Sequence, residues 1–484
     1  MLIKRTKISL AILLLAEVGG LRAVEVDPLV IFQKECISCH TESKRKGGLL
    51  IDSRESLIKG GDTDAAIVPG KAGESYLVET LFPDHDSHMP PKGQLEPQQI
   101  AAIEKWINEG AKWDSEKWAK LNLPEKTEVT RSEMPEGYEP VLAMALSPDG
   151  KTLAVGRGNR IEWFQVKEGT EKEAALLLEK THSSPGHSDS IQSLAFSPDG
   201  KRLASGGFRR VLIWDPAKPK KAIDKIEDTF LGRQTALLYL SNPPRLLVAD
   251  SLPSQLGRLH EIALDSKKVR SFDTAHLDSI FRLVAKSDGS AYATASADKL
   301  ITIRNAKTHE IEMRLEGHTG YVLAAAFSPE GKRIATAGDD EEIKVWNLET
   351  GKKISAFANS KSGPIYALAW KIDPDNHKKK SEEKDPEKAK EINTDRIFSV
   401  AESGSPSAFV ELNDHEGVQR STGAKEKSYD QAEAPLFAIA VHPKLQWTFA
   451  GGEDGKIHAW DEKGERKQTV EFETATPPVA SNDE

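Results

Sequence analysis

The chain has 484 residues, of which 29% are charged, and its formal net charge at pH 7 is −9. This length exceeds that of one ordinary domain, so we expect two or three folding units. The acidic balance excludes functions that depend on a basic surface, namely nucleic-acid binding and attachment to anionic membranes.

The first residues have the pattern of an export signal. Several basic residues precede the apolar run 8–16, and small residues follow as far as Ala23. This order is typical of a secretory signal peptide, and the run is too short to span a bilayer comfortably. An uncleaved anchor is the alternative, because Glu17 interrupts the pattern. In either case we expect export to a periplasm or cell envelope, with no transmembrane segment after signal removal.

Helical periodicity dominates residues 24–120. Asp27-Pro28 predicts a helix cap followed by proline at the first helical position, and this helix leads into the sequence ECISCH at 35–40. A second helix is predicted within 95–113, where one face carries several apolar residues and Gly110 is a stop signal. The apolar face consists of Ile100, Ile103, Trp106 and Ile107.

ECISCH contains the only two cysteines, Cys36 and Cys39, and His40 follows directly. A thioredoxin-like dithiol needs alternating strands that this region lacks. A structural zinc site needs a fourth ligand, for which only His85 and His88 stand nearby. A disulfide across so short a loop adds little stability. Covalent haem attachment fits the spacing best, because two thiols one helical turn apart can reach both vinyl groups while the histidine faces the iron.

A distal ligand for such an iron is suggested by methionine usage. The chain has five methionines, and among residues 24–133 only Met89 occurs, followed by Pro90-Pro91. Methionine with histidine is the usual axial pair of electron-transfer haems. The alternatives are that Met89 fills the core, or that His88 or His85 is the distal ligand.

Two further features of this region are open to two interpretations. Trp106 is a candidate packing residue against the haem, or a helix-core residue without haem contact. The basic run Lys44-Arg45-Lys46 could guide an acidic partner or a propionate, or form a solvated loop.

Residues about 30–113 resemble the Planctomycete-type cytochrome c domain. The shared motifs, in order, are Cys-x-x-Cys-His, 47–54, Gly60-Gly61, 67–70, 89–92, and a last helix with Trp106-Ile107 and Gly110-Ala111. The resemblance implies a small all-α, class I-like fold with one covalent haem c. It also implies that Cys36 and Cys39 bind this haem, that His40 is the proximal ligand and that Met89 is the distal ligand.

Beyond a polar linker the chain becomes repetitive and rich in short strands. The motif around Ser147-Pro148-Asp149-Gly150 recurs at 194–201 and 326–332, and each copy is followed by an apolar run. Strand, turn and strand in this order predict one small antiparallel sheet per repeat, at the period of a propeller blade. Seven repeats are expected, beginning near 140, 190, 236, 279, 321, 365 and 436.

Residues 139–462 resemble a WD-repeat β-propeller. The landmarks are Gly186-His187, Gly317-His318, Trp214, Trp346 and Trp460. The resemblance implies that His318 bonds Asp340. Blade three lacks both landmarks, and blade four has Arg304-Asn305 in place of Trp-Asp. The mixed-charge insertion 376–385 in blade six is expected to be a mobile surface loop.

These expectations give the following organisation: a signal peptide (1–23), a cytochrome c domain (24–120), a linker (121–137), an all-β seven-bladed propeller (138–473) and a flexible tail (474–484). The function they predict is electron transfer by an exported monohaem cytochrome. Its redox partner proteins are unidentified, and the propeller serves as a docking scaffold. The alternatives are an oxidoreductase with a catalytic site in the propeller and a haem-based redox sensor, but no blade residue is assigned a catalytic role.

Overall fold

The computed structural model describes residues 27–121, apart from 38, 41–45 and 92, and residues 137–472 with short gaps. Those gaps are 169–175, 228, 242, 254–255, 359–361, 373–380, 385–394, 411–423 and 446. The predicted signal peptide, the flexible tail and most of the linker and of the blade-six insertion lie outside the described residues. The chain divides into two compact units, residues 1–125 and 126–484.

The first unit is built from short helices. These are α1 (Pro28–Ile31), which continues as a wider helical turn over Phe32–Cys36, α2 (Arg54–Lys59), α3 (Tyr76–Glu79), α4 (Pro97–Asn108) and α5 (Ser115–Leu121), with 3-10 turns at Lys46–Gly48 and Ala72–Glu74. Across the described residues, no helix combines the length and apolar character needed to cross a membrane.

Helix α4 supplies the centre of the first core. It begins with Pro97 after a capping box formed by Glu96 and Gln99, and it ends at Asn108 shortly before Gly110, whose φ is +94°. Its predicted apolar face is confirmed: the buried side chains are Ile100, Ile103 and Ile107, and Trp106 is partly buried. This face packs with α1, α3 and the loops between them into one apolar cluster.

The second unit consists of seven four-stranded antiparallel sheets, each made of consecutive strands. Blade one contains β1 (Val141–Leu146), β2 (Thr152–Arg157), β3 (Arg160–Glu168) and β4 (Leu176–Pro185). Blade two contains β5 (Ser193–Phe196), β6 (Leu203–Gly206), β7 (Arg210–Trp214) and β8 (Asp224–Glu227). Blade three contains β9 (Arg233–Leu240), β10 (Arg245–Leu252), β11 (Leu256–Ala263) and β12 (Val269–His276). Blade four contains β13 (Ile280–Ala285), β14 (Ala291–Ser296), β15 (Ile301–Asn305) and β16 (Ile311–Leu315).

The remaining three blades follow the same order. Blade five contains β17 (Val322–Phe327), β18 (Arg333–Gly338), β19 (Glu342–Asn347) and β20 (Lys353–Ala358). Blade six contains β21 (Ile365–Ile372), β22 (Asp395–Ala401), β23 (Ser407–Val410) and β24 (Ala424–Ser428). Blade seven contains β25 (Leu436–Val441), β26 (Thr448–Gly452), β27 (Ile457–Trp460) and β28 (Arg466–Val470).

The blades form a closed ring. The first strand of each blade contacts the first strand of the next, and β25 contacts β1. Seven buried apolar clusters each join two neighbouring blades, including one between blades seven and one. The side chain of Gln468 also bonds the backbone of Leu178 across the closing interface, at 2.9 and 3.1 Å. The expected all-α domain followed by a seven-bladed all-β propeller is therefore confirmed.

The histidine and aspartate pairing implied for blade five is present. His318 Nδ1 lies 2.9 Å from a carboxylate oxygen of Asp340, and His318 Nε2 lies 2.8 Å from Thr336 Oγ1. Thr336 in turn accepts a hydrogen bond from the indole of Trp346 at 2.8 Å. These groups are buried and bonded to each other, which gives this histidine a structural role.

Candidate functional site

The first turns of the small unit deliver the two cysteines to one end of its core. Asp27 Oδ1 accepts a hydrogen bond from the Leu29 amide at 2.8 Å and so caps the helix that runs to Cys36. Beyond the helix, the Cys39 amide donates to the Cys36 carbonyl at 3.2 Å, and the Ile51 amide donates to the His40 carbonyl at 3.0 Å. The predicted helical approach to the motif is confirmed, and backbone bonds fix the turn that follows it.

Two adjoining cavities open beside this turn. The first, of about 200 Å³, is lined mainly by apolar side chains, and Cys36, His40 and Met89 also line it. The second, of about 430 Å³, is lined by the same three residues together with Cys39 and the prolines after Met89. The structure thus brings together the two thiols, the imidazole and the thioether that the sequence analysis singled out.

Met89 is held in position by its neighbours. Its amide donates to the Thr80 carbonyl at 2.7 Å, which ties the loop to the end of α3. Gln94 braces the same loop, because its amide group donates to the Leu81 carbonyl at 2.9 Å and its oxygen lies 2.9 Å from His88 Nε2. Met89 therefore faces the cavities from a loop that is anchored on both sides.

The two histidines considered as alternative distal ligands have other partners. His88 is bonded to Gln94 as described, and His85 accepts a hydrogen bond from the Ser87 amide at 3.1 Å and packs edge-on against Tyr76. Among the described residues, neither histidine lines either cavity. The arrangement favours Met89 over both.

The surroundings of His40 favour a neutral imidazole. Its side chain is buried, and its Nδ1 has no hydrogen-bond partner among the described residues. Burial lowers the pKa of His40 below its usual value, although the carbonyl groups of Leu49 and Lys46 act in the opposite direction. A neutral imidazole with an unsatisfied nitrogen is the form that binds a metal ion.

The surroundings of Cys36 favour a protonated thiol. Burial, followed by the nearby charges of Glu35 and Cys39, raises the pKa of its thiol to about 12. Reactive dithiols of the thioredoxin type instead have lowered pKa values, because they act as thiolates. The two cysteines are not joined in a disulfide. Within the described part of the chain, no group of three or more His, Cys, Asp or Glu side chains could hold a metal ion such as zinc.

Glycines let two loops approach each other at the cavity wall. Gly47 accepts a hydrogen bond from the Asp62 amide at 2.9 Å, and a Cβ on Gly61 would clash with the Gly47 carbonyl and stand 3.0 Å from the Leu49 amide. Gly47 and Gly61 both line the first cavity. Gly61 therefore has a steric reason to be glycine, because a side chain at this position would keep the two loops apart.

Trp106 lies behind the cavity wall. Its indole packs edge-on against Phe32 at 5.5 Å between ring centroids and donates to the Lys112 carbonyl at 2.7 Å. Phe32 lines the first cavity, whereas Trp106 is not among the described residues that line either one. Its haem contact stays a prediction. Phe32 was not predicted as a wall residue, although its helical spacing from the cysteines is the signal that could have identified it.

The basic run beside the motif is only partly described. Lys44 and Arg45 lie outside the described residues, whereas Lys46 lines both cavities. Lys46 also adds to the lowering of the His40 pKa through its charge.

Comparison with known proteins agrees with this geometry. Residues 36–93 match the family described as Planctomycete cytochrome C, and residues 178–215 and 310–347 match the WD domain, G-beta repeat. The chain joins a Planctomycete-type cytochrome c domain to a WD-repeat propeller. The family match covers the cysteines, the histidine and Met89, and the second match covers parts of the propeller.

Curated relatives share the WD repeats with low identity. WD repeat-containing protein 1 of Gallus gallus is 23% identical over 281 residues, which are 52% of this chain and 44% of that protein. Nuclear distribution protein PAC1 of Arthroderma otae is 25% identical over 303 residues, which are 59% of this chain and 62% of that protein. The chain spans less than half the length of the first relatives it matches, for example 32% of WD repeat-containing protein 1 of Mus musculus.

The residues of the cytochrome c domain fit a haem. Apolar walls surround a buried imidazole whose Nδ1 is unsatisfied, a protonated thiol and a thioether. Haem sites combine an apolar pocket with this kind of donor set, and the axial pair sets the potential of the iron.

Proposed function

We propose that the protein is an exported monohaem c-type cytochrome that transfers electrons, with its propeller serving as a docking scaffold for partner proteins. The observation that supports this most directly is that Cys36, His40 and Met89 line one cavity. Cys36 ends the first helix and His40 follows it, whereas Met89 lies in the loop after α3. Met89 is therefore brought to the other two residues by folding.

Each side chain has a distinct role in this proposal. Cys36 and Cys39 would hold the haem through thioether bonds, which form from thiols and therefore suit the raised pKa of Cys36. The His40 imidazole would be the proximal ligand, and Met89, held by Thr80 and Gln94, the distal ligand. When bound, a haem supplies a one-electron couple, and histidine with methionine raises its potential.

Export and docking rest on separate grounds. The basic start and the apolar run 8–16 have the order of a signal peptide, and c-type haem is attached outside the cytoplasm. A closed ring of seven sheets is a rigid platform that exposes loops at both faces, and relatives of the propeller are WD-repeat proteins. The partners of this platform are redox proteins of the same compartment in our proposal.

Haem content tests the proposal directly. The full chain is produced in a host that matures c-type cytochromes, and exported protein is examined by a reduced-minus-oxidised spectrum and by haem staining of a denaturing gel. We expect one haem per chain that survives denaturation, and its loss when Cys36→Ser and Cys39→Ser are combined. Exported protein without covalent haem would exclude the proposed function.

The distal ligand is tested by Met89→Ala. We expect haem to stay attached, because the thioether bonds do not depend on Met89, while the absorption band of sulfur-ligated ferric iron disappears and the potential falls. Met313→Ala, at a half-buried methionine in the propeller, is the matched control and should leave the spectrum unchanged. An unaltered spectrum in Met89→Ala would assign the distal position to another residue.

A further inference from the structure

The central channel of the propeller contains a charged side chain. A cavity of about 200 Å³ is lined by residues from the first strands of all seven blades, and most of these residues are apolar. One liquid water occupies roughly 30 Å³, so there is room for more than a single water molecule. The only charged side chain among the described residues that line this cavity is Arg282 of β13.

Arg282 interrupts a pattern that the other blades share. Arg282 lies opposite Ala295 of β14, the second strand of its blade, directly after an irregularity in the strand register. The equivalent position is alanine in blades one, three, five, six and seven, such as Ala143 and Ala324, and it is Ser193 in blade two. Small residues from five of these six positions line the cavity together with Arg282.

The charge of Arg282 is poorly compensated within the protein. Its Nη2 donates to the Tyr366 carbonyl of blade six at 3.0 Å, so the side chain reaches past blade five. Burial lowers the pKa of its guanidinium. Arginine nevertheless stays charged at neutral pH. Arg282 is half-buried, and a guanidinium has five N–H donors, so donors beyond the bond to Tyr366 can bind an added acceptor.

A second donor in the same cavity has no partner. The side-chain nitrogen of Gln192, from the residue just before β5, is buried and makes no hydrogen bond within the described residues. Gln192 lines the cavity together with Arg282. Buried amide groups are normally paired with protein groups or water, so this nitrogen points to an acceptor that the protein itself does not supply.

We propose that the central channel binds one small oxyanion, a carboxylate or an inorganic phosphate, between Arg282 and Gln192. The guanidinium supplies a fork of donors that matches two oxygen atoms, and the carboxamide supplies a third donor. The neighbouring alanines leave space for the ligand at this level of the channel.

The rim near Tyr366 opposes anions but does not prevent binding. After burial, the charges of Glu402, Asp339 and Glu453 raise the pKa of Tyr366, which shows that this side of the channel is acidic. Electrostatic forces between exposed charges are largely screened beyond about 8 Å at physiological salt.

Equilibrium dialysis of the full-length, haem-loaded chain tests the site with radiolabelled inorganic phosphate and radiolabelled acetate, each at 0.15 M background salt. We expect saturable binding of one anion per chain, at least tenfold weaker in Arg282→Ala and also weakened in Gln192→Leu. Arg282→Ala restores the residue found in five other blades, so the ring should still fold. Binding of phosphate alone, of acetate alone or of both identifies the source of the oxyanion.

The control is Arg314→Ala, which removes an exposed arginine from the outer strand of the same blade. It should leave binding unchanged, and circular dichroism should show the same β content for all variants. Absence of saturable binding in the natural sequence, or equal binding in Arg282→Ala, would overturn the proposal.

Discussion

His187 is the histidine of a Gly-His pair, and the turn of its blade lacks the aspartate that bonds the equivalent histidines. His276 bonds Asp298 of blade four at 2.8 Å, and His318 bonds Asp340 of blade five at 2.9 Å; each aspartate lies in a five-residue turn. The corresponding turn of blade two, 207–210, is one residue shorter and contains no acid. Burial, and after it the charge of Arg210, lowers the pKa of His187 to about 4, while Asp189 acts in the opposite direction.

Two substitutions should move the His187 pKa in opposite directions. Arg210→Gln removes a nearby positive charge and should raise it, whereas Asp189→Asn removes a negative charge and should lower it. Burial is the larger cause, so the pKa in Arg210→Gln should stay below the usual histidine value. Titration of protein carrying ¹³C-labelled histidine, followed by NMR, measures both shifts.

The same shift makes stability depend on pH with a defined sign. The pKa of His187 is lower in the folded chain than the usual value of about 6.5, so between these values the unfolded chain binds more protons. The stability that comes from keeping His187 neutral in the folded chain is complete above pH 6.5 and is lost as the pH falls toward 4.

Arg209→Gln is the control for the two pKa shifts, because Arg209 is one residue from Arg210 and its charge is not among the causes of the His187 shift. Equal shifts in both arginine variants would contradict this account.

At the scale of elements, two loops of the small domain approach each other closely at the wall of the first cavity. A methyl group on Gly61 would meet backbone atoms of Gly47 and Leu49, which cannot rotate away. Overpacking of this kind costs about 1–3 kcal/mol. We expect Gly61→Ala to lower the denaturation midpoint of the cytochrome c domain and the yield of covalent haem.

Gly73→Ala is the matched control for this prediction. Gly73 lies in the helical turn Ala72–Glu74, and a Cβ there meets nothing within 4 Å. Alanine favours helical backbone over glycine by up to about 1 kcal/mol, so this variant should be neutral or slightly more stable. Equal losses in Gly61→Ala and Gly73→Ala would show that the close approach of the two loops is unimportant.

Local sequence patterns predict some blades and helices but not the bonds that hold blade three. Blades with a Ser-Pro-Asp-Gly turn and a terminal tryptophan were predicted from local patterns, and so was the helix that ends at Cys36. Blade three has neither landmark, and its inner end is built around Asp250, whose buried carboxylate accepts from the amides of Leu231 and Gly232 at 2.8 Å. These bonds join β10 to the segment before β9, at sequence separations of 19 and 18 residues, so no local sequence pattern indicates them.

Some residues of the candidate sites could be predicted from the sequence, and others could not. Cys36, Cys39, His40 and Met89 were predicted because thiol spacing and the scarcity of methionine are visible in one dimension. Arg282 was not predicted, because an arginine in a strand is ordinary until the ring places it in a cavity with small residues from five other blades. Phe32 and Gln94 were likewise missed, since their importance lies in what they touch after folding.

At the scale of the whole molecule, each unit has its own core. One buried cluster lies within the cytochrome c domain, and the propeller has seven of its own between neighbouring blades. Units with separate cores unfold as separate cooperative transitions. Denaturant should therefore unfold the full chain in two steps, one followed by haem absorbance and the other by the far-ultraviolet signal of the β-sheets.

A pair of identical substitutions can assign these two steps. Ile107 and Ile457 are both fully buried, the first in the cytochrome c core and the second in the cluster that closes the ring between blades seven and one. Replacing buried isoleucine by valine costs about 0.5–1.5 kcal/mol. Ile107→Val should shift only the haem-monitored transition, and Ile457→Val only the β-sheet transition, because neither removes atoms from the other core. If either variant shifted both transitions equally, the two units would have to unfold as one, and the haem and its propeller would form a single cooperative structure.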